Sequence, residues 1–169
     1  MQTIKIILAD DHNIVREGLR ALLQTDRGIE IVAEAEDGIQ AVKLVKTFMP
    51  DVVLLDILMP HLNGLEATRQ IVAAVPSTRV LILSSYTSDD YVQQLMEAGA
   101  AGYLLKHTLG SELLRAIHEV DRGNACFSPD VARRLRDQCR ESLVSGQPIK
   151  RCAPQPVAAR RHVAYAAPR

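Results

Sequence analysis

The chain lacks the long apolar runs and the leader sequence that mark membrane and exported proteins. No stretch of its 169 residues reaches the roughly 18 apolar residues that a membrane-spanning helix needs. Lys5 and Asp10 interrupt the first apolar run. The N-terminus has no basic segment followed by an apolar segment and a small-residue cleavage site. We therefore expect a cytoplasmic protein that is neither inserted into a membrane nor exported.

Aromatic residues and cysteines are also scarce. The sequence has no Trp and only two Phe, whereas 47% of its residues are hydrophobic, so we expect an aliphatic core. Its three cysteines, Cys126, Cys139 and Cys152, are odd in number and form no C-x-x-C pair. We interpret them as reduced thiols, which are usual in the cytosol, rather than as a metal or redox site.

The net charge of zero hides an uneven distribution along the chain. Residues 1–132 carry 11 Lys and Arg against 18 Asp and Glu, a net charge of −7, and residues 133–169 carry 9 against 2, a net charge of +7. Apolar periodicity ends near Ser142, and several prolines follow. We therefore expect an acidic domain over residues 1–123, a short helical extension over 124–141 with its helix near 128–141, and a basic Pro/Ala/Arg-rich linker or disordered tail over 142–169.

Up to residue 122, apolar β-branched runs alternate with amphipathic stretches, which is typical of a parallel sheet covered by helices. The predicted strands are at about 4–9, 29–35, 51–55, 79–83 and 102–105, and the predicted helices at about 13–24, 38–47, 64–74, 89–97 and 110–121. Right-handed crossovers put helices on both faces. The pattern predicts an α/β, doubly wound, five-stranded parallel sheet with the flavodoxin-like strand order 2-1-3-4-5.

The first predicted helix has an apolar stripe that suits packing on a sheet. Its members are Ile14, Val15, Leu19, Leu22 and Leu23. We expect all of them to face the core.

Polar residues follow the predicted strands at the points where the strands end. Asp10 and Asp11 follow the first strand, Asp56 the third, Ser84 the fourth and Lys106 the fifth. The carboxyl ends of neighbouring parallel strands meet at one edge of a sheet, where ligands bind. Three carboxylates that meet there repel one another unless a divalent cation lies between them. With a metal and a lysine to neutralise charge, one of these carboxylates could accept a phosphoryl group.

In this order, these residues resemble the receiver domain of bacterial two-component response regulators, over about residues 4–122. The resemblance rests on Asp10-Asp11, on Leu55-Asp56-Ile57-Leu58-Met59-Pro60, on Ser84 and on Tyr103-Leu104-Leu105-Lys106. Two further segments look like the NarL/FixJ subfamily, namely Leu83-Ser84-Ser85 and Ala98-Gly99-Ala100-Ala101-Gly102-Tyr103.

The resemblance implies how a phosphoryl group would be handled. Asp56 would be the phospho-acceptor, and Lys106 would contact the phosphoryl oxygens. Ser84 would donate its hydroxyl to the phosphoryl group, and Tyr103 would be the aromatic residue that changes rotamer. The donor would be a sensor histidine kinase. The domain would be a signalling switch that phosphorylates itself rather than a turnover enzyme.

The resemblance also implies Mg²⁺ as the cofactor. Asp11 and Asp56 would bind the ion directly, Asp10 would act through water, and the backbone carbonyl of Leu58 would complete the protein ligands. Mg²⁺ prefers oxygen ligands and usually keeps several waters, so this set is sufficient. Taken alone, Asp10 or Asp11 could instead cap a helix.

Relatives in this subfamily continue into a DNA-binding helix-turn-helix domain that serves transcription. Only 26 residues follow Leu143, and no pair of amphipathic helices fits residues 154–169. We hypothesise that the sequence is truncated or frame-shifted just before that output domain. DNA binding is therefore expected of the full-length family and is not supported by this chain. Homodimerisation is a further possibility for receivers of this type.

Two other protein classes share some of these features. A haloacid-dehalogenase-type phosphatase also forms an aspartyl phosphate, but it needs a second acid two residues after the nucleophile, where this sequence has Leu58. A flavodoxin-like nucleotide or flavin module would need glycines and hydroxyls after its first strand, where Asp10 and Asp11 would repel phosphate. The histidines are interpreted as exposed and without common neighbours, and none is expected to carry a phosphoryl group.

Overall fold

A computed structural model describes residues 3–85, 88–108 and 110–145 of the chain. The strands are β1 Ile4–Ala9, β2 Ile29–Ala35, β3 Val52–Leu55, β4 Arg79–Ser84, β5 Gly102–Leu105 and β6 Cys126–Phe127. The helices are α1 Asn13–Leu23, α2 Gly38–Phe48, α3 Gly64–Ala74, α4 Asp89–Glu97, α5 Gly110–Asp121 and α6 Pro129–Ser145. The first ten elements alternate between strand and helix, as the sequence predicts.

All the strands form one parallel sheet with the order β2-β1-β3-β4-β5-β6. The doubly wound fold and the predicted order of its first five strands are confirmed. The predicted number of strands is wrong, because β6 pairs with Gly102 and Tyr103 of β5 as a sixth strand. Strand β6 has two residues, which is too short for an apolar pattern to stand out in the sequence.

The helices cover both faces of the sheet, as predicted. One core cluster joins the sheet to α2, α3, α4 and α6, and a second joins its other face to α1 and α5. Strands β3 and β5 are buried along their whole length, which is expected of central strands in a sheet that is covered on both sides. Apart from Tyr103, Phe127, Cys126 and two methionines, the described core is aliphatic.

Helix α1 departs from its predicted apolar stripe at its first turn. Ile14 has 84% of its surface exposed, whereas Arg16, two residues later, has only 6%. Leu19, Leu22 and Leu23 do pack against the core. Helix α1 begins where β1 has already ended, so we attribute the exposure of Ile14 to its position beyond the edge of the sheet. A guanidinium therefore occupies a buried position on this helix.

The last helix is longer than the sequence predicts. Helix α6 runs to Ser145, so residues 142–145 of the predicted linker are helical, and its remaining part, residues 146–169, lies outside the described residues. Val131 and Leu135 pack α6 into the core cluster that contains Tyr103. Cys126 and Cys139 are free thiols. Within the described ranges, no helix combines the length and the apolarity that crossing a membrane requires.

Candidate functional site

Backbone hydrogen bonds carry the sheet one residue past the ends of three strands, and this brings the predicted site residues to one edge. The amide of Asp10 donates to the carbonyl of Ala35 over 3.2 Å, and the amide of Asp56 donates to the carbonyl of Ala9 over 2.9 Å. At the other side of the site, the amide of Lys106 donates to the carbonyl of Ser84 over 2.9 Å. The side chains of Asp10, Asp56 and Lys106 therefore leave the backbone at the carboxyl-terminal edge of the sheet.

Lys106 joins two buried carboxylates at this edge. Its Nζ lies 2.6 Å from Oδ2 of Asp10 and 3.0 Å from Oδ2 of Asp56. The side chains of these acids are only 4% and 5% exposed, and that of Lys106 is 17% exposed. The structure thus brings together residues 10, 56 and 106, which are far apart in the sequence, and one cation serves two anions.

The Asp56 carboxylate is held at both of its oxygens. Oδ1 accepts a hydrogen bond from the amide of Ile57 over 2.8 Å, and Oδ2 accepts one from Lys106. Burial raises the pKa of Asp56, and the nearby charge of Asp10 adds to this rise, while the contacts with Lys106 and Ile57 oppose it. The net direction is upward, because burial penalises the ionised form more than its partners stabilise it.

The pKa of Lys106 is also raised. Burial by itself lowers it, since it disfavours the charged ammonium. The hydrogen bonds to Asp10 and Asp56, together with the negative charges of both carboxylates, outweigh burial. Lys106 therefore stays protonated and supplies a fixed positive charge beside the Asp56 oxygen.

Ser84 is the last residue of β4, Tyr103 is the second residue of the neighbouring strand β5, and both are fully buried. Burial raises the pKa of the Tyr103 hydroxyl, a hydrogen bond with the Ser84 side chain opposes that rise, and the negative charge of Asp56 adds to it. Tyr103 also belongs to the core cluster that includes α6. In this structure, then, the aromatic ring occupies the interior, and its hydroxyl is linked to Ser84.

Asp11 and His12 complete the cluster on its solvent side. His12 Nδ1 lies 2.8 Å from Oδ1 of Asp11 and 3.2 Å from Oδ1 of Asp10. One ligand atom from each of Asp10, Asp11, His12 and Asp56 falls within 4.8 Å of the others. His12 is exposed, as the sequence predicts, but its place in this acidic cluster was not predicted. Its position directly after two acids was the available signal.

The donor chemistry of this cluster fits a divalent cation. Three carboxylates face a single lysine ammonium, so negative charge is in excess, and two of the three acids are buried. Carboxylate oxygens are hard ligands of the kind that Mg²⁺ and Ca²⁺ prefer. A divalent ion would offset the repulsion that otherwise opposes the convergence of these acids.

The loop between β3 and α3 is tightly closed behind Asp56. The amide of Gly64 donates to the carbonyl of Ile57 over 2.8 Å, and Asn63 caps α3 by accepting from the amide of Glu66. A Cβ at position 64 would collide with the carbonyl oxygen of Asp56. Leu58, whose carbonyl was predicted to bind the metal, lies in this loop with a half-exposed side chain.

Arg16 contacts the loop between β1 and α1, residues 10–12, which we call the acidic loop, but it was not identified from the sequence. Its Nη1 donates to the backbone carbonyl of Asp10 over 2.7 Å, and its Nη2 lies 2.8 Å from Glu36 Oε1. The available signal was a charged residue three positions before Leu19 and seven before Leu23, on the apolar side of an amphipathic helix. The peptide bond between Lys106 and His107 is trans.

Comparison with known proteins gives a family match over most of the described domain. Residues 6–118 match the response regulator receiver domain. The transcriptional regulatory protein DegU of Brevibacillus brevis is 42% identical over 132 residues, which are 78% of this chain and 56% of that protein. The response regulator GacA of Pseudomonas aeruginosa is 36% identical over 151 residues, 89% of this chain and 68% of that protein. The chain therefore spans little more than half the length of the DegU relative.

Solved structures agree with the sequence matches. A LuxR-family two-component response regulator from Aurantimonas sp. is 37% identical with a TM-score of 0.77, and the match covers 81% of this chain and 98% of that one. The signal receiver domain of the NarL response regulator from Mycobacterium tuberculosis is 33% identical with a TM-score of 0.71, covering 73% and 100%. The chain thus belongs to the response regulator receiver domain family of two-component systems and is related to its LuxR/NarL-type transcriptional regulators.

Proposed function

We propose that Asp56 accepts a phosphoryl group from a phosphohistidine of a sensor histidine kinase, in a reaction that depends on a divalent cation. The supporting observation is the position of the Asp56 carboxylate, buried at the carboxyl-terminal edge of the sheet with Oδ2 3.0 Å from Lys106 Nζ and beside two further acids. Family membership favours this function over the phosphatase and the flavin-binding alternatives.

The transfer is a displacement at phosphorus. A carboxylate oxygen of Asp56 forms the new P–O bond while the P–N bond to the donor imidazole breaks, and the imidazole leaves with the electron pair and takes up a proton. Such transfers pass through a loose, in-line transition state, so the protein contributes mainly by positioning and by charge stabilisation. The amide of Ile57 orients one Asp56 oxygen, and Lys106 stabilises negative charge on the phosphoryl oxygens.

Mg²⁺ is the proposed cofactor, because the cluster supplies oxygen ligands and carries an excess of negative charge. Asp11 and Asp56 would bind it directly, Asp10 would act through water, and the carbonyl of Leu58 would add the last protein ligand. When bound, the ion supplies charge neutralisation for the transferred group. Lys106 can then turn from the carboxylates towards the incoming phosphoryl oxygens.

Ser84 and Tyr103 are proposed to convert phosphorylation into a change of surface. In the structure their side chains are hydrogen-bonded to each other. A phosphoryl dianion on Asp56 competes for the Ser84 hydroxyl, because a charged acceptor makes the stronger hydrogen bond. In the phosphorylated state, the ring of Tyr103 would then keep the buried position that it has in this structure. The equilibrium moves by the difference in affinity that the phosphoryl group has for the two states.

The output of this switch is proposed to be control of transcription in a longer protein. DegU is named as a transcriptional regulatory protein, and this chain spans 56% of its length. We assign residues 1–123 to the receiver domain and the residues after them to an extension that leads towards an output region. DNA binding would belong to that output region, and the receiver would control it through the surface of α4 and β5.

The test is intact-mass measurement after incubation with phosphoramidate, whose phosphoryl group is carried on nitrogen as in phosphohistidine. With Mg²⁺ present, the protein is expected to gain the mass of one phosphoryl group. Asp56→Ala should abolish the gain, and chelation of the metal with EDTA should strongly reduce it. Phosphorylation rates should fall by several orders of magnitude in the variant, because no other carboxylate follows β3.

Asp51→Ala is the matched control. Asp51 precedes β3 as Asp56 follows it, so the two acids lie at opposite edges of the sheet at the ends of one strand. The Asp51 variant should be labelled like the wild type. Labelling that persists in Asp56→Ala would contradict the assignment of the acceptor.

A further inference from the structure

The buried guanidinium of Arg16 connects the acidic loop to the end of β2. Nη1 donates to the Asp10 carbonyl over 2.7 Å, and Nη2 donates to Asn13 Oδ1 over 3.2 Å and to Glu36 Oε1 over 2.8 Å. Nε lies 3.6 Å from Glu34 Oε2. The side chain of Arg16 is only 7% exposed. One planar cation thus holds the two ends of the loop and ties them to the neighbouring strand.

The contact with the Asp10 carbonyl matters because of what surrounds it. The carboxylate of the same residue accepts from the amide of His12 over 2.8 Å and binds Lys106. The carbonyl that Arg16 holds belongs to the peptide unit between Asp10 and Asp11. Rotation of that peptide would turn the two acids relative to each other. The hydrogen bond from Arg16 therefore fixes the backbone from which both carboxylates extend.

We propose that Arg16 is a positioning residue for the cation site, which sets the affinity for Mg²⁺ by holding the Asp10–Asp11 peptide in place. This inference rests on the proposed function, because it assumes that the acids bind the metal. Arg16 does not contact the reacting atoms. Its action is geometric, since a positive charge near the site would by itself repel a metal cation. An arginine suits this role because its rigid fork can donate to several acceptors in fixed directions.

Arg20 provides an internal comparison one helical turn later. It binds Glu34 through two hydrogen bonds of 2.7 Å each, so both arginines of α1 pair with acids of the β2 segment. Arg20 is 41% exposed, and its two hydrogen bonds do not reach the acidic loop. The two positions therefore separate an arginine that ties α1 to β2 from one that also holds the loop.

The experiment compares Arg16→Lys with Arg20→Lys. Both variants keep the positive charge and lose the guanidinium fork, but only the first affects the acidic loop. The affinity for Mg²⁺ is measured by titration calorimetry, since the chain has no Trp for fluorescence. Arg16→Lys is expected to raise the Kd for Mg²⁺ roughly 10–100-fold, as loss of an outer-shell partner of a metal site does. Arg20→Lys should leave the Kd within about a factor of two, because it lies outside that outer shell.

Two further readouts separate positioning from simple destabilisation. In the metal-free protein, hydrogen exchange at the amides of residues 11–13 should be faster in Arg16→Lys than in Arg20→Lys. With phosphoramidate as donor, the Mg²⁺ concentration for half-maximal labelling should rise in Arg16→Lys, and saturating Mg²⁺ should restore the rate. A structural role alone would lower the rate at every Mg²⁺ concentration.

Several outcomes would overturn the inference. One is an unchanged Kd in Arg16→Lys, and another is an equal loss in both lysine variants. Tighter Mg²⁺ binding by Arg16→Met would show that charge, not position, dominates. Failure of the wild type to bind Mg²⁺ would instead contradict the metal in the proposed function. In that case hydrogen exchange at the amides of residues 11–13 tests whether Arg16 holds the loop. Equal exchange rates in the two lysine variants would reject that role.

Discussion

Two aspartates at opposite edges of the same sheet, Asp26 and Asp56, have pKa values shifted in opposite directions. At the amino-terminal edge, Asp26 lies 2.7 Å from Nε2 of His118 and accepts from the amide of Gly28 over 2.8 Å. The contact with His118, followed by that with Gly28, lowers the pKa of Asp26. Asp51 accepts from the amide of Lys5 over 2.8 Å. The carboxylate of Asp26 has donors of its own, so its ionised form is stabilised by the fold.

At the carboxyl-terminal edge, two buried carboxylates have a single lysine ammonium between them. Asp10 and Asp56 share the ammonium of Lys106, and burial raises the pKa of Asp56. The ionised form of Asp56 is therefore less favourable in the fold than in the unfolded chain. The same residue type stabilises the protein at one edge and destabilises it at the other, where it is available for chemistry. Functional sites commonly carry such a cost.

The largest expected effect tests how tightly the functional edge is built. Gly64→Ala places a Cβ against the Asp56 carbonyl, which belongs to the backbone and cannot move without shifting β3. We expect a loss of roughly 1–3 kcal/mol in the free energy of unfolding, measured by urea denaturation, together with slower phosphorylation.

Gly18→Ala is the control for this change. Gly18 lies within α1, where an added Cβ would meet nothing within 4 Å. Alanine should stabilise the helix there by roughly 0.5–1 kcal/mol. Equal effects of the two substitutions would contradict the close approach at Gly64.

The next prediction concerns the charge of Asp56. Asp56→Asn should raise the free energy of unfolding by roughly 0.5–2 kcal/mol near neutral pH without divalent cations, because it removes a buried anion and leaves Lys106 paired with Asp10. The folded-state pKa of Asp56 is raised, so the ionised carboxylate destabilises the wild type above that pKa. This destabilisation disappears as the pH falls through the folded-state pKa. The gap between the two proteins in urea denaturation should narrow accordingly. A less stable variant at neutral pH would reject this interpretation.

The smallest expected effect has the opposite sign. Asp26→Asn should lower the free energy of unfolding by less than about 1 kcal/mol at neutral pH, since the pair with His118 is partly exposed to solvent. The folded-state pKa of Asp26 is lowered, so its contribution is present above the unfolded-state pKa and disappears as the pH falls through the folded-state pKa. From neutral to acidic pH, the free energy of unfolding of Asp26→Asn should therefore approach that of the wild type from below. That of Asp56→Asn should approach it from above. Convergence from the same side would remove the contrast between the edges.

Much of this architecture could be predicted from local patterns in the sequence. Apolar runs alternate with amphipathic stretches, which predicts a parallel sheet with helices on both faces, and the position directly after each run identifies Asp10, Asp56 and Lys106. Right-handed crossovers and the strand order then bring these residues to one edge. Their chemical roles stay predictions, although their meeting at one edge is a property of the structure.

Other features were invisible until the chain was folded. Strand β6 has only two residues, and it exists because Gly102 and Tyr103 of β5 offer an open edge to pair with. Helix α6 extends past its predicted end to Ser145. Arg16 is buried and Ile14 is exposed, because α1 begins beyond the end of β1. Glu36, twenty residues away from Arg16 in the sequence, lies beside its guanidinium.

By itself, the sequence determined which side chains follow each strand, because periodicity and strand ends depend on neighbours along the chain. Only the tertiary structure decided how those side chains share partners. Two carboxylates at one ammonium, and one guanidinium between the acidic loop and β2, depend on distances between segments that are remote in the sequence. Burial then sets the sign of each contribution, since the donors of Asp26 outweigh its burial, whereas burial outweighs the donors of Asp56.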